Sequence, residues 1–322
     1  MDRIDESASR HGRTTSEWTA HAFPGFVAAI LVGLICGGPA VAQQSRFDTV
    51  QVRPEHVAGP VWVLYGSGGN IGVTMGEDGT LVIDDEFAPL SPKIHAALDS
   101  IGAGRLRLVL NTHYHGDHTG GNPEFGKEAP IVAQKNVRLR LARPVVRGGD
   151  TTPPMARVGL PLVTFADSLS LHMNGDEIRV VHYPHGHTDG DAVVYFPDSH
   201  VVHMGDDYFD GMFPFVDLDA GGSVQGMARA VEAVLARIPD DTRVIPGHGK
   251  VSGVEGLRAF HRMLVGTMAV VRAGMKAGKS LDELKADGLP DEWAPWGKGF
   301  IGPDRWIETL YRSLSSPGSK DR

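Results

Sequence analysis

The chain has 322 residues, 41% hydrophobic and 22% charged, with a formal net charge of −8. That is ordinary globular composition, with enough apolar material for a packed core. No Lys/Arg run follows the N-terminal segment, so a duplex-binding surface, and with it a nucleic-acid partner, is not expected.

Taken in chain order, the N-terminus comes first. Arg3, Arg10 and Arg13 precede an apolar run, FVAAILVGLICGG, from Phe26 to Gly38, and Ala40 and Ala42 form an A-x-A site. This reads as a signal peptide over 1–42, cleaved after Ala42. The apolar run is short for a membrane span, so the expectation is a periplasmic or secreted chain over 43–322 with no stable membrane anchor after cleavage. An uncleaved anchor is the alternative. The one cysteine, Cys36, lies inside this segment, behind a Leu34-Ile35 pair too bulky for a lipobox. The mature chain would then carry no thiol, so any metal must be held by nitrogen and oxygen.

Short β-runs follow at Val61 to Tyr65, Ile71 to Met75 and Thr80 to Asp84, separated by Gly and Asn as in hairpins. Ile94, Ala97 and Leu98 share one face of a predicted helix from Ser91 to Ser100. RLRLVLNT reads as a strand running into NTHYHGDHTGG, residues 111 to 121. Arg143 to Pro161, rich in Pro and Gly, reads as a loop. Strands are expected near Glu177 to Tyr183, Ala192 to Phe196 and Val201 to Met204. A second loop, Asp206 to Gly222, carries Tyr208, Phe209, Met212, Phe213 and Phe215. These are either core or an apolar wall beside a site, with Tyr208 and Phe209 the candidate wall residues. A helix over Ser223 to Ile238, a strand over Arg243 to Ile245 and further helices complete the chain. Each half runs strands first and helices after. Two such units packed sheet to sheet predict an α/β fold, a four-layer αββα sandwich of two mixed sheets with helices on the outer faces.

The chemistry concentrates at strand ends. In extended chain, residues two apart point the same way, so His113 and His115 can grip one ion. A turn at Gly116 redirects the chain, and Asp117 and His118 face a second position. Imidazole nitrogen and carboxylate oxygen both suit zinc, at about 2.0–2.2 Å. Four such groups within six residues are poorly explained by packing, because desolvating them without a partner costs several kcal/mol. PHGHTDGD supplies His185 and His187, HMGDD supplies Asp206, and PGHG supplies His248, each beside a glycine that permits close backbone approach.

These motifs, HxHxDH at His113, His115, Asp117 and His118, then GHT at His187, GD at Asp206 and PGHG at His248, resemble the metallo-β-lactamase-fold hydrolase superfamily, in its motif order. The resemblance implies an αββα sandwich with two Zn2+ per chain. His113, His115 and His187 would hold the first ion and Asp117, His118 and His248 the second, with Asp206 bridging. Asp84, ending LVID, resembles an aspartate that sits behind the ligands and orients their loop. His185 could compete with His187, but His187 matches the family's GHT. His172, His182 and His203 fall in no motif and read as packing or surface residues.

The implied reaction is hydrolysis by a metal-bound hydroxide, with Asp117 as the catalytic carboxylate that orients it. The substrate is expected to be a small molecule with a lactam, lactone or (thio)ester carbonyl. Asp206 stands where one lactamase subclass has cysteine and another serine, which points to weak or promiscuous β-lactamase activity rather than efficient turnover. Two alternatives of other classes are a mononuclear-iron sulfur dioxygenase using the same loop and a non-catalytic zinc-binding periplasmic protein. No feature of the sequence fixes an oligomeric state.

Overall fold

In the computed structural model, which describes residues 46–147 and 150–315, fifteen strands among the described residues form two large sheets and one small hairpin. The signal-peptide reading, including Cys36, lies outside the described residues. The first sheet has the order β1-β2-β3-β4-β5-β6-β9: β1 Arg53–Ala58, β2 Val61–Tyr65, β3 Ile71–Gly76, β4 Gly79–Ile83, β5 Leu106–Asn111, β6 Ile131–Gln134 and β9 Val163–Phe165. Its first four strands pair antiparallel, and β4, β5, β6 and β9 pair parallel. The second sheet has the order β10-β11-β12-β13-β14-β15: β10 Ser168–Met173, β11 Asp176–His182, β12 Ala192–Phe196, β13 Val201–His203, β14 Arg243–Ile245 and β15 Ser252–Gly253. Here only β13 and β14 pair parallel. Parallel neighbours need a long crossover. Helix α1, Ser91–Ser100, bridges β4 to β5. Below it in sequence lie three short helices, α2 Gly116–Thr119, α3 Asn122–Phe125 and α4 Lys135–Leu141. Helix α5, Val224–Leu235, bridges β13 to β14.

Strand alternation sorts the side chains into three apolar layers. Val61, Val63, Leu81, Ile83 and Leu110 of the first sheet meet Ile178, Val180, Ala192, Val194 and Phe196 of the second, forming the middle layer. On the other face of the first sheet, Leu64, Ile71, Val73 and Val82 pack on Ile94, Ala97 and Leu98 of α1. On the other face of the second, Val193, Tyr195, Val202 and Val244 pack on α5, on α6 (Val254–Lys276) and on α8 (Pro303–Ser315) through Met227, Val231, Leu257, Phe260 and Trp306; α7 (Leu281–Asp287) closes this side with Leu284. A fully buried Val, Leu or Phe contributes about 1.5–3 kcal/mol, so these layers dominate the stability. The result is the expected αββα sandwich.

Local expectations needed adjustment. The loop from Arg143 to Pro161 contains a small hairpin, β7 Val145–Arg147 with β8 Asp150–Thr152. β1 and β10 extend the two sheets beyond the strands read from sequence. Asp84 lies just past β4 in left-handed conformation, φ 63°. The ends of β4, β5, β13 and β14 and the β11–β12 loop meet at one edge of the sandwich, where the chemistry sits.

Candidate metal centre

β5 ends at Asn111, the chain bends over Thr112, His113 and Tyr114, and His115 is again extended, with ψ 149°. Then α2 begins: the amides of His118 and Thr119 both donate to the His115 carbonyl, 3.0 Å. That single turn keeps the His118 ring against His113, centroids 4.2 Å apart, while placing its Nε2 with Asp117 and His248. Across the gap, the β11–β12 loop brings His187, the end of β13 brings Asp206 and the end of β14 brings His248.

Two groups of donors result: His113, His115, His187 and Asp206, and Asp117, His118 and His248. His115 Nδ1 lies 3.2 Å from His113 Nε2 and 2.8 Å from His187 Nε2. Asp206, a member of the first group, also reaches the second. Its Oδ2 stands 3.4 Å from His187 Nε2 and 3.8 Å from His113 Nε2. Its Oδ1 stands 3.0 Å from His118 Nε2 and 3.5 Å from His248 Nε2. Asp117 Oδ2 lies 3.3 Å from His248 Nε2. Ligand atoms 2.0 Å from a tetrahedral ion are about 3.3 Å from one another, which these spacings bracket.

Whether the donors fit an ion can be tested on two atoms. His118 Nε2 and Asp206 Oδ1 are buried and face each other at 3.0 Å, yet neither makes a well-aligned hydrogen bond to any described residue. Leaving such a group unsatisfied costs about 1–3 kcal/mol. A cation between them satisfies both, and the donor set, nitrogen and oxygen without sulfur, suits zinc.

The electrostatics follow from burial and crowding. Burial pushes His113 well below its usual range, with His118 adding to the effect, and His187 falls to about 4, chiefly from burial. Both imidazoles are neutral, with lone pairs free for a cation. Burial would also lower His118 and His248, but Asp206 and its neighbours overcome it: His118 is raised well above its usual range and His248 to about 9. Burial would raise Asp206 and Asp117. The surrounding imidazoles instead hold Asp206 well below the usual carboxylate range, and His118 with His248 holds Asp117 at about 2.

Supporting residues fix the donors. Asp84 Oδ2 accepts from His118 Nδ1 and the Thr112 hydroxyl, each at 2.7 Å, and its Oδ1 accepts from the Thr112 amide at 2.7 Å. This is the orienting position expected of it. Sequence reading missed Asp217, whose Oδ2 lies 2.9 Å from His115 Nε2 and accepts from the Tyr114 hydroxyl at 2.6 Å. It also missed Asp207, which accepts from the His187 amide at 3.0 Å, and Asn70. The Asn70 side chain donates to the carbonyls of Pro246 (2.8 Å) and Gly249 (3.0 Å), bracketing His248. Two glycines admit close approach: a Cβ at Gly69 would run into the His118 ring, and one at Gly247 into Asp206 Oδ1.

Other candidates fall outside the cluster. His185 turns its Nδ1 to the Gly221 carbonyl, 3.0 Å, and stays out of both donor groups. His203 is buried and bonds the Asn70 carbonyl, His182 bonds the Asp191 carbonyl, and His172 is exposed. The wall reading is corrected for Tyr208. That side chain is 0% exposed, packs edge-on against Phe260 and donates its hydroxyl to Asp210, so it is core. Phe209 is also fully buried; it stacks on His248 at 5.2 Å and backs the ligand rather than facing a substrate.

An αββα sandwich with two His/Asp donor groups sharing a carboxylate at its open edge is the architecture of the metallo-β-lactamase fold. A family model described as the Metallo-beta-lactamase superfamily matches residues 64–248, and the chain belongs to that superfamily. The chain is 30% identical to a probable hydroxyacylglutathione hydrolase of Schizosaccharomyces pombe, over 44% of this chain and 48% of the relative. It is 30% identical to a hydroxyacylglutathione hydrolase of Methylococcus capsulatus, over 54% and 58%. A type 2 metallo-beta-lactamase of Bacteroides fragilis is 22% identical, over 60% and 73%. The match thus spans about half the length of the two hydroxyacylglutathione hydrolases. Two solved structures share the fold. A sec-alkylsulfatase from Pseudomonas sp. has TM-score 0.63 at 16% identity, covering 84% of this chain and 51% of that one. A metallo-beta-lactamase from Pontibacter korlensis has TM-score 0.55 at 19% identity, covering 66% and 99%. No helix among the described residues is long and apolar enough to cross a membrane.

Proposed function

We propose that this chain is an exported hydrolase that binds two zinc ions and hydrolyses the acyl–oxygen, acyl–sulfur or acyl–nitrogen bond of a small lactone, ester, thioester or lactam. One observation carries the reading: Asp206 turns one oxygen to each donor group, so seven side chains divide into two sites that share a carboxylate. His113, His115 and His187 would hold the first ion, Asp117, His118 and His248 the second, and Asp206 both. When bound, zinc supplies Lewis acidity, polarising an acyl oxygen and lowering the pKa of water from 15.7 towards ~7.

The protein's own groups do the rest. The Asp117 side chain is 33% exposed against 4% for Asp206, so it is the donor carboxylate open to an incoming molecule. Held ionised by His118 and His248, it orients the attacking water by accepting its hydrogen bond. His115 is fixed by Asp217 and His118 by Asp84, so neither ring needs to reorganise during turnover. The named activities of the relatives support acyl hydrolysis, and the N-terminal apolar run with its A-x-A site supports export.

The test is a panel of lactones, thioesters, cephalosporins and carbapenems, assayed with zinc and with chelator. At least one acyl class is hydrolysed with zinc and not with chelator. Asp117→Ala lowers kcat by about 100-fold or more while the thermal unfolding midpoint stays near the parent value. Undiminished turnover in Asp117→Ala would overturn the role of that carboxylate. One iron per chain with oxygen uptake would overturn the hydrolase reading.

A further inference from the structure

Phe300 lies beyond the family-matched residues 64–248 and is 55% exposed, whereas its chain neighbour Ile301 and Trp306, a few residues on, are buried. Its ring stands edge-on to His248 at 5.8 Å and 5.8 Å from Phe209, which itself stacks on His248. It is therefore an apolar surface directly beside the second donor group. At the first donor group stands Phe215, half-buried, with ring centroids 5.8 Å from both His115 and His187. The Arg305 guanidinium covers part of that ring at 5.6 Å and holds it in place.

Phe300 is exposed but not loose. The Phe213 amide donates to the Trp296 carbonyl at 2.9 Å, which pins the segment on one side. Ile301, next in the chain, is 1% exposed in the helix-side core. A ring presented so firmly to water, at a ligand, gains by being covered. Burying an aromatic side chain that is otherwise exposed is favourable at about 25 cal/mol per Å2.

We infer that Phe300 and Phe215 bracket the two donor groups and select acyl substrates carrying a flat or branched apolar group, with Phe300 the specificity-determining side chain. This rests on the hydrolase reading above but concerns binding, so the two can fail separately. The chain segment that carries Phe300 lies outside the family-matched region, so the preference does not follow from the shared motifs.

The experiment compares the N-acetylcysteamine thioesters of phenylacetate and acetate on the zinc-loaded protein, with the matching phenylacetamide as a binding probe. Hydrolysis of either thioester adds water across the acyl–sulfur bond, releasing a carboxylic acid and a thiol, and needs no other reactant. The wild type prefers phenylacetyl over acetyl by about tenfold or more in kcat/KM. In Phe300→Ala that ratio collapses towards one, mostly through KM, while Phe300→Leu restores most of it. Zinc content stays the same in all three proteins, which separates loss of the apolar face from damage to the metal centre. A wild-type ratio near one, or an unchanged ratio in Phe300→Ala, overturns the inference while leaving hydrolysis standing. If neither thioester is turned over, calorimetry with the amide decides: binding that Phe300→Ala weakens supports the bracket, no binding to the wild type sinks it, and the hydrolase reading is left to the acyl panel above.

Discussion

Asp217 shows how a single side chain can set the state of a ligand. With its carboxylate 2.9 Å from His115 Nε2, the proton of that imidazole is fixed on Nε2, and Nδ1 is left bare towards His113 and His187. Burial would raise Asp217, but the hydrogen bonds from His115 and Tyr114 hold it well below the usual carboxylate range, so the acceptor stays ionised. Asp217→Ala should weaken zinc at the first position by about 10–100-fold, read by competition with a chelator; unchanged affinity would mean that His115 is oriented without it. Tyr208 makes the opposite case. Its hydroxyl serves Asp210 at 2.8 Å and Ser252 at 2.9 Å, away from the donors. Tyr208→Phe should cost about 1 kcal/mol in chemical denaturation and leave turnover alone. A large loss of kcat at unchanged stability would return Tyr208 to the site. Four of the seven donor residues, His113, His115, Asp117 and His118, were legible because HxHxDH crowds them past one strand end, and His187, Asp206 and His248 through their glycine-flanked motifs. Asp217 and Tyr208 were not, because what decides each is a partner that no local pattern announces.

At the scale of elements, Asn70 joins the two sheets. It ends the loop between β2 and β3, yet its side chain brackets His248 through two carbonyls, and its amide donates to the Gly247 carbonyl at 2.7 Å. Its partners lie 176 and 179 residues away, so spacing rules could not find it. Asn70→Ala removes both side-chain donors and frees the loop that carries His248. The second zinc should then be lost about tenfold more readily than the first in a stepwise titration, and equal weakening of both ions would contradict this division. The same scale explains two of the strands that sequence reading passed over, which in the large sheets were β1, β6, β9, β10 and β15. β1 is RPEHVA with its first four residues exposed at a sheet edge, so it shows no alternation to read. β10, SLSLHM, does alternate, but one face is only half covered. By contrast α5 was legible: Val224, Met227, Val231 and Val234 recur on one face, and the Ser223 hydroxyl caps it by accepting from the Gly226 amide at 3.0 Å.

At the scale of the whole molecule, two halves that each run strands then helices produce two sheets with a common edge, and that arrangement was readable from element order alone. What element order could not supply is the C-terminal side, where residues after 248 fold back and place Phe300 against His248. The shared edge explains why donors from four chain segments converge, with Asp84 behind them from a fifth: the ends of β4, β5, β13 and β14 and the β11–β12 loop are held in register by the apolar layer between the sheets. The central claim is that this edge is built for two cations joined through Asp206. The most direct test is a zinc titration of the metal-free protein, followed by metal analysis of the washed complex. Two zinc ions per chain are predicted; saturation at one, or no retained zinc, would contradict the account.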